Sequence, residues 1–462
     1  MAARAAIWFT LAGVIQKSVS VLTMPIFTRM LSTEQYGLYA LYNSWLQVLT
    51  ILTTLRLTYA VFNKGMSRYG DDREGFTSTM QGVTSIMTLV GLGLYLAAQD
   101  WVNALTGLPT LITVAMFAEL LMTPAISFWI ARERYRFRYR PIVYVTLLQA
   151  VANAGLGVIA VVLAEDKGVA RILSIVAVQV VVGLFFYVRN ILKAPRPFVF
   201  EYAKFAVTFN LPLIPHYLSM YAMDQFDRVM IARMVGLSAA ALYTVAVNVG
   251  LVLKLVTDGI TQSLVPWMYQ KLEEGRLEDI ESRIGQILVL VSVVVLVFIA
   301  VAPELVSLLG GSRYEASVNV VPPIAVSIVF IFAYTIFANV QFHYDANKFI
   351  MVASTVGAFA NVGLNYVMIP RYGFIAAAYT TLLCYVGFAF AHYLFMNHVV
   401  SRRTDGRRIL APITLVGISV SLILGAWLLA ALYDHAAARY GFTAVLVVVL
   451  AIRREDVRGV FR

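Results

Sequence analysis

The chain has 462 residues, 60% of them hydrophobic and 13% charged, with a mean hydropathy of +0.78. That leaves too little polar surface to cover a water-soluble domain, so most of the chain must be solvated by lipid or by itself. The single cysteine, Cys384, lies in an apolar run and excludes both a disulfide framework and cysteine metal-ligand spacing.

One membrane-spanning helix takes roughly 20 apolar residues. Apolar runs fall at 5–28, 37–62, 77–98, 110–131, 142–164, 170–188, 205–223, 229–257, 284–303, 317–339, 349–369, 373–395, 412–432 and 441–452. They are long and continuous, without the alternation of a barrel strand. The pattern predicts an all-α membrane protein of about fourteen transmembrane helices with no sizeable soluble domain.

In the first run, Met1-Ala-Ala-Arg4 leads in without a small-residue cleavage pattern, as in a retained span rather than a signal peptide. Lys17 sits at its middle beside Gln16 and Ser20. An ionised side chain at a helix centre costs about 2.5–3.5 kcal/mol, so Lys17 faces a cavity or pairs with a carboxylate, Glu119 in span four being one choice. In span two, Asn43, Gln47, Thr50 and Thr54 form one narrow polar stripe, and Arg56 lies roughly 140° off it. Arg56 either lines a cavity or snorkels to the interface.

The run from Arg132 to Arg140 alternates five arginines with aromatics and glutamate. It reads first as an interfacial anchor on anionic headgroups, and second as a recruiter of phosphate. Span seven carries Asn210, Tyr217, Tyr221, Asp224 and Arg228 on one stripe, interrupted near its start by Pro212 and Pro215. Span eight carries Thr244, Asn248, Asp258 and Gln262, with Lys254 on the flank. Lys254 and Asp258 are i, i+4, so a local ion pair is the plain alternative to a cavity role.

The connections alternate in charge. With the N-terminus inside, the inner segments hold 25 of the 36 Lys and Arg residues, the outer ones eight, and the spans Lys17, Arg56 and Lys254. This bias places both termini in the cytoplasm and accounts for the net charge of +11 without nucleic acid.

An internal repeat is also present. Arg29-Met30-Leu31 followed by Leu38-Tyr39 returns 204 residues later as Arg233-Met234-Val235 followed by Leu242-Tyr243, and Asn153-Ala-Gly-Leu156 is echoed by Asn361-Val-Gly-Leu364. Six spans per repeat keep two lobes parallel, and in such transporters the site lies between them. The expected organisation is a six-helix lobe at 1–200, a second at 201–398, and two accessory helices with a cytoplasmic tail at 399–462. The polar walls of spans one, two, seven and eight then converge on one cleft.

There is no Gly-x-x-x-x-Gly-Lys-Ser/Thr loop and no His-Glu-x-x-His, and the outer connections are short. These features argue against an ATPase, a zinc enzyme or a glycan polymerase, and no cofactor is called for.

Three blocks carry a resemblance: Met24-Pro-Ile-Phe-Thr-Arg-Met-Leu-Ser-Thr-Glu-Gln-Tyr-Gly-Leu-Tyr39, Asp224-Gln-Phe-Asp-Arg228, and Asn361-Val-Gly-Leu-Asn365 running into Ile369-Pro-Arg-Tyr-Gly373 and Ala376-Ala-Ala378. On these the chain resembles a Wzx-type polysaccharide flippase, of the superfamily that includes the multidrug and toxic-compound extrusion (MATE) transporters. The resemblance implies a MATE-like pair of lobes in the bacterial inner membrane and alternating access. The cargo it implies is an undecaprenyl-diphosphate-linked oligosaccharide for O-antigen or exopolysaccharide assembly.

It implies membrane lipids and other polysaccharide-assembly membrane proteins as partners. Lys17, Arg56 and Lys254 are the cations that fit the diphosphate, with Asn43, Gln47, Tyr217 and Asn248 beside them. A coupling ion, H+ or Na+, is compatible with this architecture, and no motif decides it. The alternative is a cation-coupled exporter of small molecules, against which stands the absence of a carboxylate cluster in one lobe.

Overall fold

The computed structural model describes residues 22–58, 60–404 and 406–452. It is all-helical over these residues, and ten helices among them are long and apolar enough to cross a bilayer. The protein is a multi-pass membrane protein. Packing divides the chain into two compact units, Met1–Ala241 and Leu242–Arg462.

The first unit contains α1 (described from residue 22 to 30), α2 (Thr33–Thr54), α3 (Ala60–Arg68), α4 (Arg73–Ala97), α5 (Gln99–Thr106), α6 (Thr110–Tyr135), α7 (Tyr139–Leu163), α8 (Lys167–Leu192), α9 (Phe200–Asn210) and α10 (Ile214–Met234). Helix starts follow local chemistry. Ser32 and Gln35 form a reciprocal capping box at α2, with Gln35 N donating to Ser32 Oγ at 3.1 Å and Ser32 N to Gln35 Oε1 at 3.0 Å. Asp72 caps α4 and Asp166 caps α8 in the same N-terminal manner.

Helix α2 packs on α4, α6, α8 and α10, around a core that includes Leu41, Tyr42, Met116, Leu120 and Val229. A second core joins α3, α4, α9 and the end of α2 through Ile51, Phe62, Met66, Phe76 and Tyr202. Helix α7 is peripheral, with 11% of its apolar window buried, which suits a lipid-facing span.

The boundary between units falls near the start of α11 (Leu237–Glu273). The second unit continues with α12 (Leu277–Ala300), α13 (Ala302–Gly310), α14 (Val321–His343), α15 (Asn347–Tyr372), α16 (Phe374–Ser401), α17 (Pro412–Ala431) and α18 (Ala436–Ile452). Helix α14 is its core, with 83% of the apolar window buried, and it packs mainly on α16. Asn361 donates to Thr381, Asn365 to Asn361, and Thr380 to Asn365, so these buried amides and hydroxyls of α15 and α16 satisfy one another.

Helices α17 and α18 pack on α12. Arg439 of α18 binds Glu304 of α13 through both terminal nitrogens (2.6 and 2.9 Å) and donates to the Ala300 carbonyl at 2.6 Å.

The repeat is visible in the element starts. Helices α2 and α11 begin 204 residues apart, as do α4 and α12, while α7 and α15 begin 208 apart and α8 and α16 207 apart. The structure departs from the expected spans in two places. Span two is not continuous to residue 62, because α2 stops at Thr54. The connection expected at 224–228 lies later, since α10 runs through Asp224–Arg228 to Met234 and the turn is at Val235-Gly236. Arg228 donates to Gln225 and to the Asp224 carbonyl, so this charged stretch is stitched into the helix rather than ending it.

Candidate functional site

Two helix breaks meet in the first unit. After Thr54 both Leu55 and Arg56 take left-handed φ (48° and 53°), although neither is glycine. Each such residue costs about 1–2 kcal/mol. The local structure offsets this. Arg56 N donates to Thr54 Oγ1 at 3.2 Å, Leu57 N to the Thr54 carbonyl at 3.0 Å, and the Leu55 and Leu57 side chains are buried.

The second break follows Asn210, where Leu211–Leu213 form a 3-10 turn with Pro212 in its first residues. Pro212 removes a helical N–H, which frees the chain to turn there. Asn210 is fully buried and donates Nδ2 to the Leu55 carbonyl at 2.7 Å. One helix break thus caps the other. Asn210 Oδ1 is buried without a hydrogen-bond partner among the described residues.

This arrangement places Arg56 beside α10. Its guanidinium carbon lies 6.0 Å from the centre of the Tyr217 ring, within cation–π range. One turn on, Tyr221 donates its hydroxyl to the Ser44 carbonyl and locks α10 to α2. Arg56 would lie off the polar stripe on a continuous helix; the end of α2 at Thr54 instead sets it beside Tyr217.

Within that stripe, Asn43 donates to the Tyr39 carbonyl at 2.9 Å, Thr50 to Leu46 and Thr54 to Thr50, both at 2.6 Å. Their polarity is satisfied along α2 itself. Gln47 is the exposed member. Asn248 and Lys254 are half-buried on α11 in the second unit. Lys17 lies outside the described residues. Of the seven expected residues, the structure brings Arg56 and Tyr217 into contact and sets Asn43 and Gln47 on the helix leading to them. Glu119, weighed above as a partner for Lys17, is buried and accepts from the Tyr42 hydroxyl at 2.6 Å.

The arginine run is divided in use. Arg132 is buried and pairs with Glu74 at the start of α4, and Arg136 pairs with the other oxygen of Glu74 at 2.9 Å. These two arginines are structural staples rather than headgroup anchors. Arg138 approaches Glu133 at 4.0 Å and is largely exposed.

The sequence reading missed an open surface groove of about 390 Å³ between α3 and α9, lined by Arg68, Tyr69, Glu201, Lys204, Phe205 and Phe209 with Thr208. Arg68 lies 5.1 Å from the Phe205 ring and 5.6 Å from that of Tyr69, and Lys64 lies 4.9 Å from Phe209. Burial raises the Tyr69 phenol above its usual value against the opposing charge of Arg68, with Glu201 adding to the rise, so Tyr69 is a neutral donor at neutral pH. The available signal was a cation followed by an aromatic in both flanking segments, Arg68-Tyr69 and Lys204-Phe205. Those cations had served only to orient the spans.

Residues 2–272 match the polysaccharide biosynthesis protein family, more than half of the chain. The chain belongs to that family. Residues 212–367 also match the MatE family. Among curated relatives, "Lsg locus putative protein 1" of Haemophilus influenzae is 22% identical over 353 residues, which are 74% of this chain and 84% of that protein.

Among solved structures, the lipid II flippase MurJ superposes with a TM-score of 0.68 at 13% identity, covering 99% of this chain and 100% of that one. An inward-facing multidrug resistance MATE family transporter of the MOP superfamily gives 0.62 at 14%, covering 87% and 99%. The family's fold is therefore that of the MurJ and MATE proteins.

Proposed function

We propose that the protein is a flippase that moves a lipid-linked oligosaccharide, carried on undecaprenyl diphosphate, from the cytoplasmic to the periplasmic leaflet for cell-surface polysaccharide assembly. The observation that carries this reading is membership of the polysaccharide biosynthesis family, in a chain with ten helices long and apolar enough to cross a bilayer among the described residues. Transport, rather than bond-making chemistry, is the role such a chain supplies.

The physical task is to take a diphosphate and several sugars across about 30 Å of hydrocarbon, where each unsatisfied polar group costs several kcal/mol. Arg56 supports the reading, since a guanidinium at unwound backbone within a helical bundle suits a phosphate by paired hydrogen bonds. We assign Lys17 and Lys254 as further cations on the path, and Asn43, Gln47, Tyr217 and Asn248 as its polar lining. The halves that alternate are taken as 1–200 and 201–398, with 399–462 accessory, on the strength of the repeated element starts. The charge bias supports cytoplasmic termini, and the resemblance supports the inner membrane.

The test is complementation in a bacterium lacking this gene. The wild-type gene restores surface glycan, while Lys17→Ala and Arg56→Gln at matched abundance do not. Normal glycan in the deletion strain, or no flipping of any polyprenyl-diphosphate glycan in proteoliposomes, overturns the proposal.

A second reading, a proton-coupled exporter of small molecules, is favoured by Glu119, a buried intramembrane carboxylate held by Tyr42. Glu119→Gln then abolishes proton-driven efflux and leaves surface glycan unchanged.

A further inference from the structure

We propose that the groove between α3 and α9 is a loading site that holds the phosphate and first sugar of the glycan lipid before it reaches Arg56. This deepens the flippase reading and rests on it for the direction of transfer.

The charge pattern comes first. In the first unit Arg132 and Arg136 are both taken up by Glu74. Lys64, Arg68 and Lys204 make no ion pair among the described residues. They are exposed, and the aromatic rings beneath Lys64 and Arg68 position them. Arg68 and Lys204 line the groove with one carboxylate, Glu201, and Lys64 stands over the Phe209 ring beside it, so the local charge balance favours an anion. Charge-assisted hydrogen bonds from arginine and lysine to phosphate oxygens are the strong contacts available to it.

The walls are the second observation. Tyr69, Phe205 and Phe209 offer apolar ring surface to the groove. A bare phosphate has no use for such surface, whereas the C–H face of a sugar ring does. Glu201, which accepts from the Tyr69 hydroxyl at 3.5 Å, adds an acceptor for sugar hydroxyls. The groove is open to the surface and, at about 390 Å³, has room for a phosphosugar headgroup whose lipid stays outside it.

Position is the third. Phe209 lines the groove, and the next residue, Asn210, caps the Leu55 carbonyl beside Arg56. Helix α3 runs from the same break out to Arg68, nine residues or about 13 Å. The groove and the break share both helices, and Lys64 on α3 stands between Arg68 and Arg56 in the chain, so a phosphate released from Arg68 and Lys204 meets Lys64 and then Arg56.

Three headgroups present this chemistry: a polyprenyl-diphosphate sugar, a soluble sugar nucleotide, and, for the phosphate alone, an anionic phospholipid. The test uses the full chain in phosphatidylcholine nanodiscs and measures binding of polyprenyl-diphosphate-N-acetylglucosamine by native mass spectrometry. UDP-N-acetylglucosamine and phosphatidylglycerol serve as competitors. Arg68→Gln with Lys204→Gln, both exposed positions, should weaken binding at least about tenfold, as expected for losing charge-assisted contacts. Phe205→Leu should weaken the sugar-bearing lipid and leave phosphatidylglycerol binding unchanged.

Lys193→Gln, an exposed cation that does not line the groove, is the control and should bind as wild type. Wild-type affinity in the double variant overturns the proposal, as does displacement by phosphatidylglycerol at equal concentration. Displacement by the soluble nucleotide alone overturns the lipid assignment. Flipping is read separately in proteoliposomes. If the wild type binds through the groove yet flips nothing, the transport reading falls and the site stands. If the wild type flips and the double variant binds normally, the site falls and transport stands.

Discussion

The break after α2 makes a prediction whose sign is opposite to the ordinary one. If residue 56 were helical, replacing Arg56 by glycine would leave the protein about 1 kcal/mol less stable than replacing it by alanine. With φ at 53°, alanine keeps the steric penalty of the left-handed region and glycine removes it, so Arg56→Gly should be the more stable variant by about 1 kcal/mol. Both lack the guanidinium, so the comparison isolates the backbone from the charge.

For a compact unit of 241 residues, that difference corresponds to a melting temperature higher by about 2–4 °C for Arg56→Gly. Thermal unfolding of the two purified variants in one detergent is the assay, and both should fail to restore glycan. An alanine variant that melts above the glycine variant refutes the left-handed break. Asn210→Ala, which strips the Leu55 carbonyl of its buried donor, should cost about 1–3 kcal/mol in the same assay.

Gly37→Ala should severely destabilise the protein or prevent its accumulation, because an added Cβ would stand 1.9 Å from the Leu237 carbonyl oxygen, which is backbone and cannot step aside; membrane yield and detergent melting measure it. Glu74→Ala leaves Arg132 buried without its main partner and should cost about 3 kcal/mol or more, whereas adding Arg132→Met should recover most of the loss in the same melting assay. Burial alone would raise the Glu304 carboxyl, but hydrogen bonds from Arg439 and Tyr440 outweigh it and hold the value below the usual range. The contribution of that pair is therefore complete above about pH 4.5 and fades as pH falls through the lowered value. The protection of α18 amides, taken relative to their intrinsic exchange rate, should fall in acid, and Glu304→Gln should show the lower protection already at neutral pH.

Much of the fold was legible because lipid as solvent demands long apolar helices; against the fourteen expected runs, ten helices among the described residues are long and apolar enough to cross a bilayer. The motif blocks were legible as words but not as causes. Gln-Tyr-Gly-Leu contains the capping residue Gln35 and the close-approach Gly37, and Tyr372-Gly373 ends α15 with φ of 71°. Span two was overextended because residues 55–62 are as apolar as a helix requires, and the left-handed pair contains no glycine to announce it. Arg56 was singled out for its charge, but its pairing with Tyr217 depends on Asn210, some 155 residues away. The groove was missed because its cations sit in connections, where charge is already explained by topology.

The repeat gives the break its meaning. In α11 the stretch equivalent to residues 55–59, at the same 204-residue offset, runs through an uninterrupted helix of 37 residues. The shared scaffold therefore does not require a break there, and the first unit bears the strain of two left-handed residues that its counterpart avoids. Strain that packing does not demand is kept where it positions something. What this break positions is a guanidinium over an aromatic ring, with freed backbone beside it and a basic groove at the far end of the two helices it creates. A continuous α2 would have carried residue 56 onto the helix wall roughly 140° away from the polar stripe. On this argument the asymmetry between the repeats is where the first unit acquires its anion-handling surface.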